Sequence, residues 1–571
     1  MAPTGGYISS LTVPQIQEWL NNCLQSHETC SATQDTAACP LVRPSRLLEI
    51  SNNHQGLGAR VIRLRDHEKA SPMKYLTLSH CWGDTVGCKL LSSNMHLYKR
   101  QIPLQDLTRT FMEAIQLTQN LGFSYLWIDA LCIVQDSEQD WKAECKKMGD
   151  IYTGGLLNIA ATSSSHGDHG LFSNSYPKEL PTFLLRFRDE GTPKEVIFSP
   201  CQKDRCYRVR VEVSPLGSRG WVLQERLLSP RTIHFITDQV LWECHVCSES
   251  EILPVDLSRD LREPEVQSHL EVLAKSPFNK YSTQHAHDEE VAIDTMYNTW
   301  KNVVRTYSVC KISFPSDKLP ALSGLASRMA KQWGIDERGN YLAGLWRDAL
   351  HLGLVWYAFL GADDYYPSRA PSWSWAYIDA AVTHPEQCDP EPPATVPAST
   401  QTDSDDPYGA APSGSLVILA PLCIIRLTTC PKRKPTPKQR SDNWLVRIGK
   451  FTGTGIDDEL NLLLPGWSIW WDYWDPRDEL SSDAWDKIQL VGVICNPSDS
   501  FTWGGLNTTL LVLQPTGRRS GQYKRVGLAR VVFGDDVGKG KMWTLGKPKV
   551  PNTLISHLGF EGGKGYTIEI V

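Results

Sequence analysis

No run of the 571-residue sequence is apolar for long enough to span a bilayer: the longest, Leu416 to Ile425, is far too short and contains Pro421. The first residues, MAPTGGYISSLTV, lack the basic and then apolar order of a secretory signal, so the protein is expected to be soluble and intracellular. Neither sign of charge is in large excess. Lys and Arg total 58 against 64 Asp and Glu, a formal charge of -6, which removes any whole-chain electrostatic reason to bind nucleic acid or an anionic membrane. Internal repeats and compositional bias are missing as well, which excludes a collagen-like or wholly disordered chain. The 16 cysteines follow no regular framework, so a small disulfide scaffold is excluded and most are expected to be buried thiols.

What is present is a globular composition, 41% hydrophobic and 21% charged, in a chain long enough for about three to four domains. Residues 1–65 form an entry segment with a short amphipathic stretch (Ile16, Trp19, Leu20, Leu24). Tyr75 to Ser79 is a buried strand that feeds the loop Ser79-His-Cys-Trp-Gly83. Leu107, Phe111, Ala114, Ile115, Thr118 and Leu121 repeat at helical spacing until Gly122 stops them. Tyr125 to Ile133 is almost continuously apolar and predicts a second buried strand. A helix carrying Trp141, Cys145, Met148 and Tyr152 follows, and Leu156 to Ala161 predicts a third strand. The order β-α-β-α-β predicts an α/β core with a parallel sheet, whose ligand site lies at the carboxyl ends of the strands, in the loops from Ser79, Asp129 and Thr162.

This core is placed at 66–247, with a less regular excursion at about 174–214 and a short helix from Ser218 that stops at Pro230. Residues 248–385 are mainly helical by period, including Leu342, Leu345, Trp346 and Ala349. Residues 386–413 are rich in Pro, Ser, Thr, Asp and Ala and predict a disordered linker; 414–571 reads as a β-rich domain.

Three carboxylates stand out. Asp129 interrupts an apolar strand, so it needs hydrogen-bond partners or a shifted pKa. Glu144 shares a stripe with Trp141 and Met148, and Glu225 lies beside Trp221 and Leu228. An inward-facing glutamate is either a satisfied salt-bridge member, with Arg219, Arg226 and Arg231 close to Glu225 in sequence, or a site residue at a cleft edge.

Three blocks together resemble the fungal heterokaryon incompatibility (HET) domain: Tyr75-Leu-Thr-Leu-Ser-His-Cys-Trp-Gly83, Leu121 to Asp136 with Asp140, Trp141 and Glu144, and Arg219-Gly-Trp-Val-Leu-Gln-Glu225. His80-Cys81 stands where many members have a Tyr-Val-type pair. Stretches Leu319 to Leu325, Tyr341 to Trp346 and Arg369 to Trp375 resemble the downstream region of the same proteins. The resemblance implies a cytoplasmic effector of allorecognition or innate immunity that triggers growth arrest or programmed cell death. It also implies a protein partner in non-self recognition and self-association on activation.

HET domains are also similar to TIR domains, and Trp221 to Glu225 falls where many of those carry the catalytic glutamate of NAD cleavage. On that comparison Glu225, with Glu144 as the second candidate, acts on the nicotinamide–ribose bond. Ser79, Trp82, Gly83, Asp129, Gln135, Asp136 and Trp221 then line the substrate, NAD is a substrate, and no cofactor is required. A Gly-rich phosphate cradle is not present. The alternative is a non-enzymatic adaptor that works by self-association or partner binding.

Two cysteine groups remain, Cys23/His27/Cys30 and Cys244/Cys247. Each falls short of the four ligands that a closed zinc site needs, so ordinary buried thiols are the leading reading, a structural zinc is the minority one, and no metal is assigned. The basic run that contains Lys432, Arg433 and Lys434 is either a nuclear import signal or a solvated loop.

Overall fold

The computed structural model describes residues 12–31, 42–53, 56–63, 74–83, 88–172, 183–189, 192–198, 207–251, 289–335, 339–358, 366–384, 398–402, 406–420, 422–428, 445–452, 455–462, 467–471, 490–494, 507–520, 522–532, 559–561 and 565–571. Lys432, Arg433 and Lys434 lie outside the described residues, as does the 386–397 part of the expected linker. The chain divides into two compact units. The first comprises Met1–His285, Cys310–Ile312 and Ala321–Gln332, and the second Ala286–Val309, Ser313–Pro320 and Trp333–Val571.

The first unit opens with α1 (Thr12–Ser26) and α2 (Glu28–Ser31), then the hairpin β1 (Arg46–Asn53) and β2 (Gly56–Arg63). Its centre follows as β3 (Leu76–Ser79), α3 (Met95–Tyr98), α4 (Arg109–Asn120), β4 (Tyr125–Ile128), α5 (Asp129–Cys132), α6 (Glu138–Cys145), α7 (Met148–Gly154) and β5 (Leu157–Ala160). A hairpin, β6 (Phe183–Asp189) and β7 (Thr192–Phe198), occupies part of the expected excursion. Then come α8 (Tyr207–Glu212), α9 (Gly220–Leu228), β8 (Arg231–Phe235), β9 (Val240–Cys244) and β10 (Ser248–Ser250).

Eight strands form one mixed sheet in the order β10-β9-β8-β5-β3-β4-β1-β2. The inner four, β8-β5-β3-β4, run parallel, while β1 and β9 flank them antiparallel. Every residue of β3, β5, β8 and β9 is buried, as expected for strands covered on both faces. The predicted α/β class and parallel centre therefore stand.

Local signals explain the helix ends. Thr108 caps α4 by accepting from the Phe111 amide at 3.4 Å, and Gly122, at φ +84°, takes the left-handed conformation that ends it. Ser137 caps α6 from the Asp140 amide. The predicted single helix over 141–152 is two helices, α6 and α7, with a break at Lys146 and Lys147. A further helix, α11 (Pro320–Trp333), lies almost wholly in this unit, and its Gly324 meets Gly149 of α7 so closely that a Cβ on Gly149 would lie 2.8 Å from the Gly324 Cα.

In the second unit, α10 (Glu289–Ser308) packs its buried Trp300 and Tyr307 among aromatic rings of the same unit, Trp300 edge-on to Tyr341 and Trp346, and Tyr307 edge-on to Trp375. Residues 341–346, expected to be helical, form a tight hairpin, β11 (Tyr341–Leu342) and β12 (Leu345–Trp346). The turn residues Ala343 and Gly344 have φ +47° and +94°, a pair that reverses a strand and cannot continue a helix. Trp300 and Trp375 both donate their indole N–H to the Gly344 carbonyl, at 2.7 and 2.9 Å.

The rest of this unit holds α12 (Leu350–Gly353), the pair β13 (Tyr357–Ala358) and β14 (Val382–Thr383), and an eleven-stranded sheet that begins at Ala398 and ends at Ile570. The fully buried Arg525 lies over Trp356, its Cζ 3.5 Å from the ring centroid, and donates to the carbonyls of Leu354 and Trp356. Among the described residues no helix is long and apolar enough to cross a membrane.

Candidate functional site

The carboxyl ends of β3, β4 and β5 come together in the first unit, and most of the sequence-predicted site residues meet there. Ser79, the last residue of β3, is buried, and its hydroxyl accepts from the side-chain amide of Asn158 in β5 at 3.1 Å, which leaves its own proton for Glu225. Asp129 was expected inside a strand. The strand instead stops at Ile128, and Asp129 opens the helical turn α5, which places its carboxylate at the sheet's end with its side chain 23% exposed. That position removes the conflict between an ionised group and an apolar strand. The carboxylate accepts from the Trp82 indole N–H at 2.9 Å and the Ala130 amide at 2.7 Å, and His80 Nδ1 lies 3.6 Å away.

Glu225 reaches the same place from α9. Its side chain is 6% exposed and accepts a hydrogen bond from the Tyr152 hydroxyl of α7 at 2.9 Å. The neighbouring arginines turn elsewhere: Arg226 to Glu243 and Glu212, Arg231 to Cys23, and Arg219 to the carbonyl of His80. Among the described residues no lysine or arginine lies within ion-pair distance of Glu225. Burial accordingly pushes its pKa up to about 7. The negative charge of Asp129 adds to that rise, while hydrogen bonds from Ser79 and Tyr152 and the positive charge of Arg219 oppose it.

Two neighbours have their protonation set by the same enclosure. Burial holds His80 down at about 4 against the pull of Asp129, so its imidazole is neutral at physiological pH. Burial, followed by the charges of Glu225 and Asp129, holds Tyr152 well above the usual phenol range, so it stays a hydrogen-bond donor. The result is a carboxyl poised between its two forms near neutrality, one fixed donor onto it and a second carboxylate nearby.

The other predicted residues divide into two groups. Gly83 sits at φ +68°, and a Cβ there would come within 2.5 Å of the His166 Cβ, so glycine is required for the loop to close over the 165–167 turn. Trp82 is partly exposed, with the Lys89 ammonium 5.0 Å from the centre of its ring. Gln135 donates to the carbonyls of Asp129 and Ile133, and Asp136 accepts from the amide and hydroxyl of Ser92, so both hold the loop after α5. Trp221 is partly exposed and packs edge-on against Trp141. Glu144 is not brought to this group: it is 1% exposed, accepts from Ser45 and pairs with Lys147 at 2.7 Å, which ties the start of β1 to α6.

Sequence reasoning did not find Tyr152, Arg219, Asn158 or Lys89 as site residues. Tyr152 was visible only as the last member of an apolar stripe, and Arg219 only as a salt-bridge candidate. Elsewhere in the unit, at the amino-terminal end of β8, Cys23, His27 and Cys30 meet Cys244 and are placed to hold a metal ion.

Taken together, the first unit is an α/β domain with a buried acid at the carboxyl ends of parallel strands. Residues 75–225 match the model of the family described as heterokaryon incompatibility protein (HET), and they span that site from β3 to Glu225. The chain therefore carries a HET domain, which implies a role in heterokaryon incompatibility. No curated protein and no solved structure matches the chain.

Proposed function

We propose that this chain is an incompatibility effector whose HET domain hydrolyses the nicotinamide–ribose bond of NAD, with Glu225 as the catalytic carboxylate. The observation that carries the proposal is the state of Glu225: a buried carboxyl at the strand ends, raised to about 7, hydrogen-bonded by Tyr152 and without an ion-pair partner among the described residues.

Such a group is matched to a cationic partner. The nicotinamide ring of NAD carries a positive charge that moves onto the ribose as the C1′–N bond breaks and neutral nicotinamide leaves with the bonding pair. A carboxylate that no fixed cation already satisfies gains the most from that developing charge, and a low-dielectric surrounding strengthens the attraction. Arrival of a cation also lowers the pKa of Glu225, so the residue sheds its proton when substrate binds. Water then adds to C1′, and its proton passes to Glu225 or to solvent, which completes the hydrolysis.

In this account Tyr152 and Ser79 are positioning residues that orient the carboxylate. Asp129 adds negative potential, and its bond to the Trp82 indole fixes that ring at the mouth of the β3 loop. The partly exposed Trp82 and Trp221 offer surfaces for a base or a nicotinamide ring. The test is nicotinamide release from NAD by the purified full-length chain and by its Tyr152→Phe variant. Turnover is expected from the wild type, and it should be reduced with an altered pH profile in the variant; no turnover at any protein concentration would remove the proposal.

A further inference from the structure

We propose that Cys23, His27, Cys30 and Cys244 form a structural zinc site that pins α1 and α2 to the central sheet, at the end opposite to the Glu225 group. Cys244 lies more than 200 positions from the other three, and the fold alone brings it to them. Cys23 lies in the last turn of α1, His27 in the break after it, and Cys30 in α2. Two backbone turns, from the His27 amide to the Cys23 carbonyl and from the Cys30 amide to the His27 carbonyl, hold this part of the chain bent. Cys244 ends β9, which packs on α1 with Trp242 against Trp19.

The geometry fits tetrahedral zinc. One ligand atom from each of the four residues lies within 4.8 Å of all the others. Zn–S bonds of about 2.3 Å and Zn–N bonds of about 2.05 Å at the tetrahedral angle require S···N near ~3.5 Å and S···S near ~3.8 Å. His27 Nδ1 and the Cys244 sulfur are 3.5 Å apart. The 4.8 Å limit on the remaining pairs lies about 1 Å beyond the S···S separation that a bound ion requires.

A second observation points independently to anionic sulfur here. Arg231 is fully buried, and among the described residues its guanidinium meets no carboxylate; it donates to the Cys23 sulfur at 3.1 Å and to the carbonyls of Leu156 and Cys30. A buried cation needs a compensating charge. Three thiolates and neutral histidine around Zn²⁺ carry one net negative charge, which Arg231 neutralises. The Cys244 sulfur also accepts the amides of Val246 and Cys247, at 3.5 and 3.4 Å, as a thiolate ligand does. Four protein ligands close the coordination sphere, so the site is structural and leaves no position for substrate.

Cys247 is the residue to be discriminated. Its sulfur is 3.6 Å from that of Cys244 but also bonds Glu249, and it is partly exposed. The proposal makes it a bystander.

The experiment uses the full-length chain, expressed with zinc, purified under reducing conditions without chelator and measured by elemental mass spectrometry. About one zinc per chain is expected, and exchange with cobalt(II) should give the visible bands of a tetrahedral thiolate site. The Cys247→Ser variant should keep the metal, while Cys30→Ser and Cys244→Ser should lose about nine-tenths of it. Should those two variants fail to fold, the wild-type metal content and cobalt spectrum still decide. A wild-type chain with less than about a tenth of an equivalent of zinc and no cobalt bands overturns the proposal. Loss of metal in Cys247→Ser together with retention in Cys244→Ser overturns this ligand set.

Discussion

Replacing Glu225 by glutamine should stabilise the protein, and only above a certain pH. An isolated glutamate titrates at 4.5, and burial raises Glu225 to about 7 in the fold. The folded state then holds a proton that the unfolded chain has already lost across that window. Stability falls with rising pH wherever the native state binds more protons. At 1.36 kcal/mol per unit, the wild type loses roughly 3 kcal/mol between pH 4.5 and 7 and stays level above that range. Glutamine keeps the shape and still accepts from Tyr152, but it has no such term. The variant should therefore match the wild type to within about 1 kcal/mol at pH 5 and exceed it by roughly 3 kcal/mol at pH 8, or ~6 °C in Tm. His80, neutral in the fold and titrating near 4, adds an acid limb to both chains and cancels in the comparison. The assay is denaturant unfolding of both chains from pH 5 to 9. A difference that does not change with pH would mean that Glu225 is a satisfied, ionised member of the core, and the reasoning about its charge would be wrong.

Further expectations concern its surroundings. Tyr152→Phe removes a hydrogen bond that favours the ionised form, so the midpoint of Glu225 should move up, read as an alkaline shift of the rising limb of kcat/KM or of the stability profile. Gly83→Ala adds a left-handed alanine and a contact with the His166 Cβ, and should cost about 2 kcal/mol or more by thermal or denaturant unfolding. Arg226, 8% exposed, is paired through two hydrogen bonds with Glu243, and Arg226→Ala should cost about 3–5 kcal/mol. The double variant with Glu243→Ala should cost clearly less than the sum of the two single changes, and additivity would refute the pair.

The parallel centre of the first unit was legible because doubly covered strands spell continuous apolar runs, as in Tyr125 to Ile128 and Leu156 to Ala160. The same continuity hid where β4 ends. Ala130, Leu131 and Cys132 are as apolar as a strand yet form a helical turn, and period alone does not separate a short buried helix from a strand. The hairpin at 341–346 resembles a helix in sequence for a related reason: Leu342, Leu345 and Trp346 fall at helical spacing, while the left-handed Ala343 and Gly344 carry a signal only through the glycine.

Glu144 and Glu225 show what a one-dimensional reading lacks. Both are inward glutamates close to a tryptophan, yet Glu144 is met by Lys147 and Ser45, whereas Glu225 is met by a tyrosine. That difference depends on which helices pack together. Convergence of Cys244 with Cys23, His27 and Cys30 depends likewise on the pairing of β8 with β9 and the packing of α1.

The most direct test of the central claim is a side-by-side measurement of nicotinamide production from NAD by the wild-type chain and by Glu225→Gln, at pH 7.5 and over a range of protein concentrations. The account predicts steady turnover by the wild type and a loss of at least ~100-fold in the variant, with its fold intact by circular dichroism. Equal rates in the two chains, or no nicotinamide from either, would contradict it.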